Sequence, residues 1–148
     1  MSFQLPVSDL KIQDSSAGKK VFDPLRKKWF LLTPEEFVRQ QWIQYLLYNK
    51  NFPPALIAIE KEFDLNGLKK RFDILIHNSI HKPAMIIECK SADVLLDEKT
   101  AWQALTYNQK FKVQWLVISN GSVTAIYHYQ NFENGFTIST NFPEFQLL

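Results

Sequence analysis

Apolar and polar positions change period several times along the chain, and each change marks an element. Thr33-Pro34-Glu35-Glu36 opens a helix, with threonine as N-cap, proline at the first helical position and acids favoured by the helix dipole. Phe37, Val38, Trp42, Tyr45 and Leu46 recur at helical spacing to about Tyr48, and the helix is expected to end between Asn49 and Pro53. From Leu56-Ile57-Ala58-Ile59 the pattern is extended through Phe63. Asp64-Leu65-Asn66-Gly67 then supplies a turn, and Lys69 to His77 returns as the antiparallel mate. Asn78 to Pro83 is a loop, and Met85 to Lys90 is a strand whose apolar density suits the middle of a sheet. Asp97 to Lys110 reads as a helix with Trp102, Leu105 and Ala101 inward. Val113 to Ser119 is a buried strand, Asn120-Gly121 a tight turn, and Val123 to Gln130 its partner.

The order is helix, three strands, helix, two strands. A helical crossover from Met85–Lys90 to Val113–Ser119 places those two strands parallel by a right-handed connection, so a mixed α/β (α+β) sheet with helices packed on it is expected. Residues 1–32 read as a leader of turns with one short extended piece, 33–130 as the core, and 131–148 as an irregular aromatic tail, all within a single domain.

Composition changes this picture little. The 148 residues are 46% hydrophobic, enough for one core, and Lys+Arg exceed Asp+Glu by only 17 to 15. Net charge therefore does not announce a polyanion partner. Local clusters are more suggestive: Lys19-Lys20, Arg26-Lys27-Lys28 and Lys69-Lys70-Arg71 would neutralise phosphates if folding brings them to one face. A single cysteine excludes an internal disulfide, Met1 to Leu10 lacks a signal-peptide core, and no apolar run reaches the roughly 18 residues of a membrane span. A cytoplasmic location without membrane association is the expectation.

Candidate chemistry sits on the strands. Alternation puts Asp73, Leu75 and His77 on one face of their strand, and Ile86, Glu88 and Lys90 on one face of the next. If the faces coincide, Asp73, Glu88 and the backbone carbonyl of Cys89 offer the oxygen ligands that Mg²⁺ prefers. Lys90 would then orient or deprotonate a water, or offset charge building on a phosphate. The alternative is an ion pair between Asp73 and Lys90 at a sheet end. Gln103 and Tyr107, four apart on the next helix, share a face and can both touch a phosphate or a water. His77 and His81 lie across a loop and do not form a helical zinc pair, and Cys89 faces away from Glu88 and Lys90 as a small buried side chain.

Five segments in order carry a family resemblance: Pro34-Glu35-Glu36-Phe37-Val38-Arg39-Gln40, Lys70-Arg71-Phe72-Asp73-Ile74, Ile86-Ile87-Glu88-Cys89-Lys90, Gln103-Ala104-Leu105-Thr106-Tyr107 and Val117-Ile118-Ser119-Asn120-Gly121. Over about residues 33–130 the chain resembles a PD-(D/E)XK nuclease domain, similar to the N-terminal nuclease region of type I restriction enzyme R subunits. The resemblance implies a restriction-endonuclease-like three-layer core and a Mg²⁺-dependent DNA endonuclease, with Mn²⁺ as substitute. It implies that Asp73 and Glu88 hold the metal, that Lys90 is the catalytic lysine, and that Gln103 and Tyr107 position DNA or water. It also implies a glutamate on the first helix, with Glu36 preferred, Glu35 close behind, and Glu60 a weaker supplier. Phe72 stands where the superfamily's name has proline. No Gly-x-x-x-x-Gly-Lys-Ser/Thr occurs, so a motor is expected to be separately encoded if the domain works with one, as would a specificity subunit. The alternative function is a catalytically idle DNA-binding or protein-docking module with the same fold. The oligomeric state is open.

Overall fold

The computed structural model describes residues 3–148. Its front end differs from the expected leader. Residues there form a three-stranded antiparallel sheet, β1 (Ile12–Ser15), β2 (Gly18–Asp23) and β3 (Lys28–Leu31). What read as a polar joint is a hairpin turn: Gly18 takes a φ of +119° and Ser15 Oγ donates to the Gly18 carbonyl at 2.6 Å. The second turn is closed by Asp23, fully buried, whose Oδ1 accepts the Leu25 and Arg26 amides at 2.7 and 2.8 Å. The consecutive Lys19-Lys20 and the buried charge of Asp23 masked the strand period.

Helix α1 (Pro34–Gln44) begins as expected, with the Thr33 hydroxyl accepting the Glu36 amide at 3.1 Å, and continues into a π-turn, Tyr45–Asn49. Its phase is unusual. Phe37 is 41% exposed, whereas Glu36, Arg39, Gln40 and Gln41 are buried with Val38, Trp42 and Ile43. One side of α1 packs on the sheet, and a polar side packs on β2, β4 and β5.

The main sheet runs β4 (Ile57–Leu65), β5 (Leu68–His77), β6 (Pro83–Cys89), β7 (Trp115–Ser119), β8 (Thr124–His128) and β9 (Thr137–Ser139), in that spatial order. Only β6 and β7 are parallel, joined through helix α2 (Glu98–Phe111), as the crossover required. Val38, Trp42 and Ile43 cover one face through Ile74, Ile76, Met85, Ile87 and Val117. Phe111 covers the other with Leu75, Ile86, Leu116, Ile118 and Tyr127. The α+β, three-layer arrangement is compatible with the restriction-endonuclease-like fold expected.

One inward assignment on α2 changes, and so does the reading of the tail. Trp102 is 73% exposed; the inner side of α2 is Ala101, Ala104, Leu105, Asn108 and Phe111, a phase fixed by Asn108, whose amide exchanges hydrogen bonds with the Val113 backbone at 3.0 and 3.1 Å. The aromatic tail is less irregular than expected. It adds β9 to the sheet edge, stacks Phe132 on Tyr129 at 4.9 Å and buries Phe142 5.4 Å from both Trp42 and Tyr45.

Candidate active site

Asp73 and Glu88 reach each other from unlike surroundings. The β5–β6 ladder pairs Ile74 with Ile87 and Leu75 with Ile86 but stops short of Asp73 and Glu88, so the strands part there. In the gap, Asp73 Oδ2 accepts the Cys89 amide at 2.9 Å in place of a ladder bond. The neighbouring β4–β5 ladder also breaks at this level, between Ile59–Ile74 and Lys61–Phe72, where Glu60 has a φ of +53°. A non-glycine residue held in the left-handed region is strained backbone of the kind that clusters at functional sites. Strict alternation would have put Asp73 with Leu75 on the α2 side. The break instead turns Asp73 Oδ1 toward α1, where Arg39 Nη2 meets it at 2.7 Å.

Arg39 is the hub of this side. It is 4% exposed, and besides Asp73 its guanidinium contacts Glu60 at 2.8 Å, Glu36 at 3.0 Å and Glu35 at 3.2 Å. Burial alone would lower its pKa, but the hydrogen bond to Asp73 and the charges of Glu36, Asp73 and Glu60 outweigh it and hold the pKa above the ordinary value. Asp73 pairs with Arg39, not with Lys90, so the simple Asp73–Lys90 ion pair is not formed.

Glu88 faces the α2 side, as alternation predicted. Its Oε1 accepts from Lys70 Nζ at 3.0 Å. Lys70 is enclosed by aromatic rings, 4.9 Å from the Tyr107 centroid, 5.6 Å from Phe72 and 5.7 Å from Phe111. Burial pushes the Glu88 carboxyl above its ordinary range. The Lys70 charge opposes that shift, and the nearby Asp73 carboxylate reinforces it. The Glu35 carboxyl is raised too, first by burial and then by Asp73, with Arg39 and Lys90 opposing. Burial likewise drives the Cys89 thiol well up, as befits an inert side chain.

Glu88, Lys90, Gln103 and Tyr107 line one small open pocket of about 80 Å³, with Lys70, Thr100, Ala104 and Ile118. Among the described residues Lys90 has no carboxylate oxygen within 4.0 Å, so its ammonium is free. Glu35, Glu36, Arg39 and Glu60 line an adjoining cleft with Phe30 and Leu31 of β3. Glu36, preferred from sequence, is placed differently from that expectation. It is buried between Arg26 Nη2 at 2.9 Å and Arg39 Nη1 at 3.0 Å and accepts from Gln40 Nε2, so it joins the front sheet to α1. Glu35, 49% exposed by side chain, is the helix-one acid whose charge meets Asp73 and Lys90.

Sequence reasoning named neither Arg39 nor Lys70 as part of the site, nor the Asp23–Arg26–Gln40 cluster behind it, where Asp23 Oδ2 accepts from Arg26 Nε at 2.7 Å and Gln40 Nε2 at 2.9 Å. The available signal was Glu35, Glu36, Arg39 and Gln40 at i, i+3 and i+4 on a helix start, a polar stripe as regular as the apolar one.

The donor set is hard oxygen: Asp73, Glu88, Glu35 and backbone carbonyl, suited to Mg²⁺ or Mn²⁺ in chemistry. In this arrangement two protein cations neutralise the acids, Arg39 on Asp73 and Lys70 on Glu88. Among the described residues no group of three or more His, Cys, Asp or Glu side chains is placed to hold a metal ion. Among the described residues no helix is long and apolar enough to cross a membrane.

Compared with known families, residues 34–143 match the model described as type I restriction enzyme R protein N terminus (HSDR_N). No curated protein matches the chain.

Proposed function

This chain belongs to the family of the type I restriction enzyme R protein N terminus, and we propose that it is the nuclease component of a restriction-type system, hydrolysing DNA phosphodiesters with Mg²⁺ as cofactor. The observation that carries the reading is the proximity of Asp73 and Glu88 where β5 and β6 part, with Lys90, without an ion-pair partner among the described residues, in the pocket that Glu88 lines.

Asp73, Glu88 and the Cys89 carbonyl would hold Mg²⁺, with Glu35 the helix-one acid nearest them. When bound, the ion supplies Lewis acidity to a phosphoryl oxygen and acidifies water. The chain's own residues do the rest. Lys90 orients the attacking water and offsets charge on the phosphate, since it owes its ammonium to no carboxylate. Gln103 and Tyr107 offer amide and hydroxyl groups on the pocket's far wall, where they position the phosphate or the water. In-line attack on phosphorus breaks the bond to the 3′ oxygen and leaves 5′-phosphate and 3′-hydroxyl ends.

The idle-module alternative is favoured by one observation: Arg39 and Lys70 already neutralise both acids. Calorimetric titration with Mn²⁺ separates the two readings. Wild type should bind the ion and Asp73→Asn should not; absence of binding by wild type at millimolar Mn²⁺ would favour the idle module.

A further inference from the structure

We propose that the front sheet β1–β3, together with the crease it makes against β4, binds the sugar-phosphate backbone of duplex DNA beside the candidate active site. The identity of the polyanion rests on the nuclease reading above. Strands β1–β3 lie outside residues 34–143 that match the family, and the β4 side of the crease lies within them.

Charge is the first support. Residues 11–31 hold Lys11, Lys19, Lys20, Arg26, Lys27 and Lys28 against Asp14 and Asp23, six minus two or +4. The whole chain sums to +2, so the remaining residues carry 11 basic against 13 acidic groups, or −2. The excess is concentrated in one small sheet. Two of its cations are internally engaged, Arg26 with Asp23 and Glu36 and Lys19 with Asp14 at 3.0 Å. Lys20, Lys27 and Lys28 make no ion pair within 4.0 Å among the described residues.

Placement is the second. Lys20 is the cross-strand partner of Leu31, and Leu31 and Phe30 line the cleft that contains Glu35, Arg39 and Glu60. Lys28 lies with Arg26 and Lys61 around the crease between β3 and β4, floored by Ile57 and Ile59. Lys28 pairs with the buried Asp23, three positions from Lys20, so alternation sets Lys28 on the inner side of the sheet, with Arg26 and Lys61 at the crease, and Lys20 on its other side. The front sheet is held rigidly against the site, because Asp23 and Glu36 share Arg26 and Gln40.

The test uses the full chain and a mixed-sequence duplex of roughly 20 base pairs, in EDTA so that nothing is cut, with affinity followed against salt concentration. Lys20→Gln/Lys27→Gln/Lys28→Gln should weaken binding at least tenfold. It should also reduce the slope of log K on log salt by up to about 2.7, near 0.9 for each phosphate no longer neutralised, with Lys28→Gln alone taking about a third of that. Unfolding midpoints should be unchanged, and with metal present kcat at saturating DNA should hold while KM rises. Lys99→Gln/Lys110→Gln/Lys112→Gln, on and after α2, controls for net charge and should leave most of the slope intact. Unchanged affinity and slope in the front-sheet variant, an equal loss in the control, or no duplex binding by wild type would each overturn the proposal. Wild type that binds DNA through these lysines but cuts with neither Mg²⁺ nor Mn²⁺ would defeat the nuclease reading and leave this one standing.

Discussion

Replacing Arg39 by methionine keeps the unbranched apolar stem of the side chain and removes the charge that four carboxylates share. Glu35 and Glu60 have side chains 49% and 31% exposed, and water can take over much of their solvation. Asp73 and Glu36, at 13% and 7%, cannot be resolvated in place. Glu36 keeps Arg26, and Asp73 keeps the Cys89 amide but no cation within 4.0 Å among the described residues. Removing one member of a buried ion pair costs about 3–5 kcal/mol, a large share of the roughly 5–15 kcal/mol by which a domain is stable. The loss should have a pH signature. Without the guanidinium Glu35 binds protons more readily in the folded state, so the penalty is full at neutral pH and shrinks as pH falls through the range in which that carboxyl is protonated. Glu35 makes the sign explicit, since Arg39 now lowers a carboxyl that burial raises. Urea unfolding of wild type and Arg39→Met at pH 7 and pH 5 measures this. If Arg39 sits where a cation belongs, Mn²⁺ should restore part of the variant's stability and raise wild type's less. A loss under about 1 kcal/mol, the scale of a surface pair, or a loss independent of pH would refute the account of Arg39 as a buried counter-ion.

Burial raises Glu88, so metal binding and cleavage should fall with decreasing pH at a value above the ordinary ~4.3 of a glutamate, a limb absent from the binding curve of Glu88→Gln. The same raised pKa gives a stability contribution present below the unfolded-state value and lost as pH rises through the folded one; urea midpoints should therefore show wild type gaining on Glu88→Gln as pH falls. Phe142→Ala should cost about 3–5 kcal/mol in urea unfolding, because the ring fills the space among Trp42, Tyr45 and Phe52; a loss below about 1 kcal/mol would mean the tail is not part of the core. Trp102→Ala should shift the midpoint by less than about 0.5 kcal/mol, in line with its exposure, whereas Trp42→Ala should cost about 3–5 kcal/mol.

Much of the main sheet was legible from periodicity. The Thr33 cap, the β4–β5 hairpin, the crossover that makes β6 and β7 parallel and the Asn120-Gly121 turn each follow from local chemistry, and the structure has them all. The front sheet was not legible, because its inward positions are few: Val21 and Asp23 are its buried residues, and the second is a charged group that reads as surface. Within the site, Glu88, Lys90, Gln103 and Tyr107 line one pocket, because strand and helix spacing bring them to the same side. Asp73 reaches Glu88 for a reason alternation does not contain, a break in two ladders at once. The choice between Glu35 and Glu36 turned on helix phase, which depends on Arg26 from a distant strand drawing Glu36 inward. Arg39 escaped notice for a related reason: a lone arginine on a helix reads as solvated until the acids around it are seen.

Cleavage by purified protein tests the central claim most directly. Supercoiled plasmid incubated with wild type and Mg²⁺ or Mn²⁺ should be nicked or linearised, and EDTA should stop the reaction. Asp73→Asn and Lys90→Met, folded and still binding DNA, should lose at least about 10²-fold in rate, the scale of a positioned catalytic group. Cleavage by either variant at the wild-type rate, or cleavage by wild type undiminished in EDTA, would contradict the account.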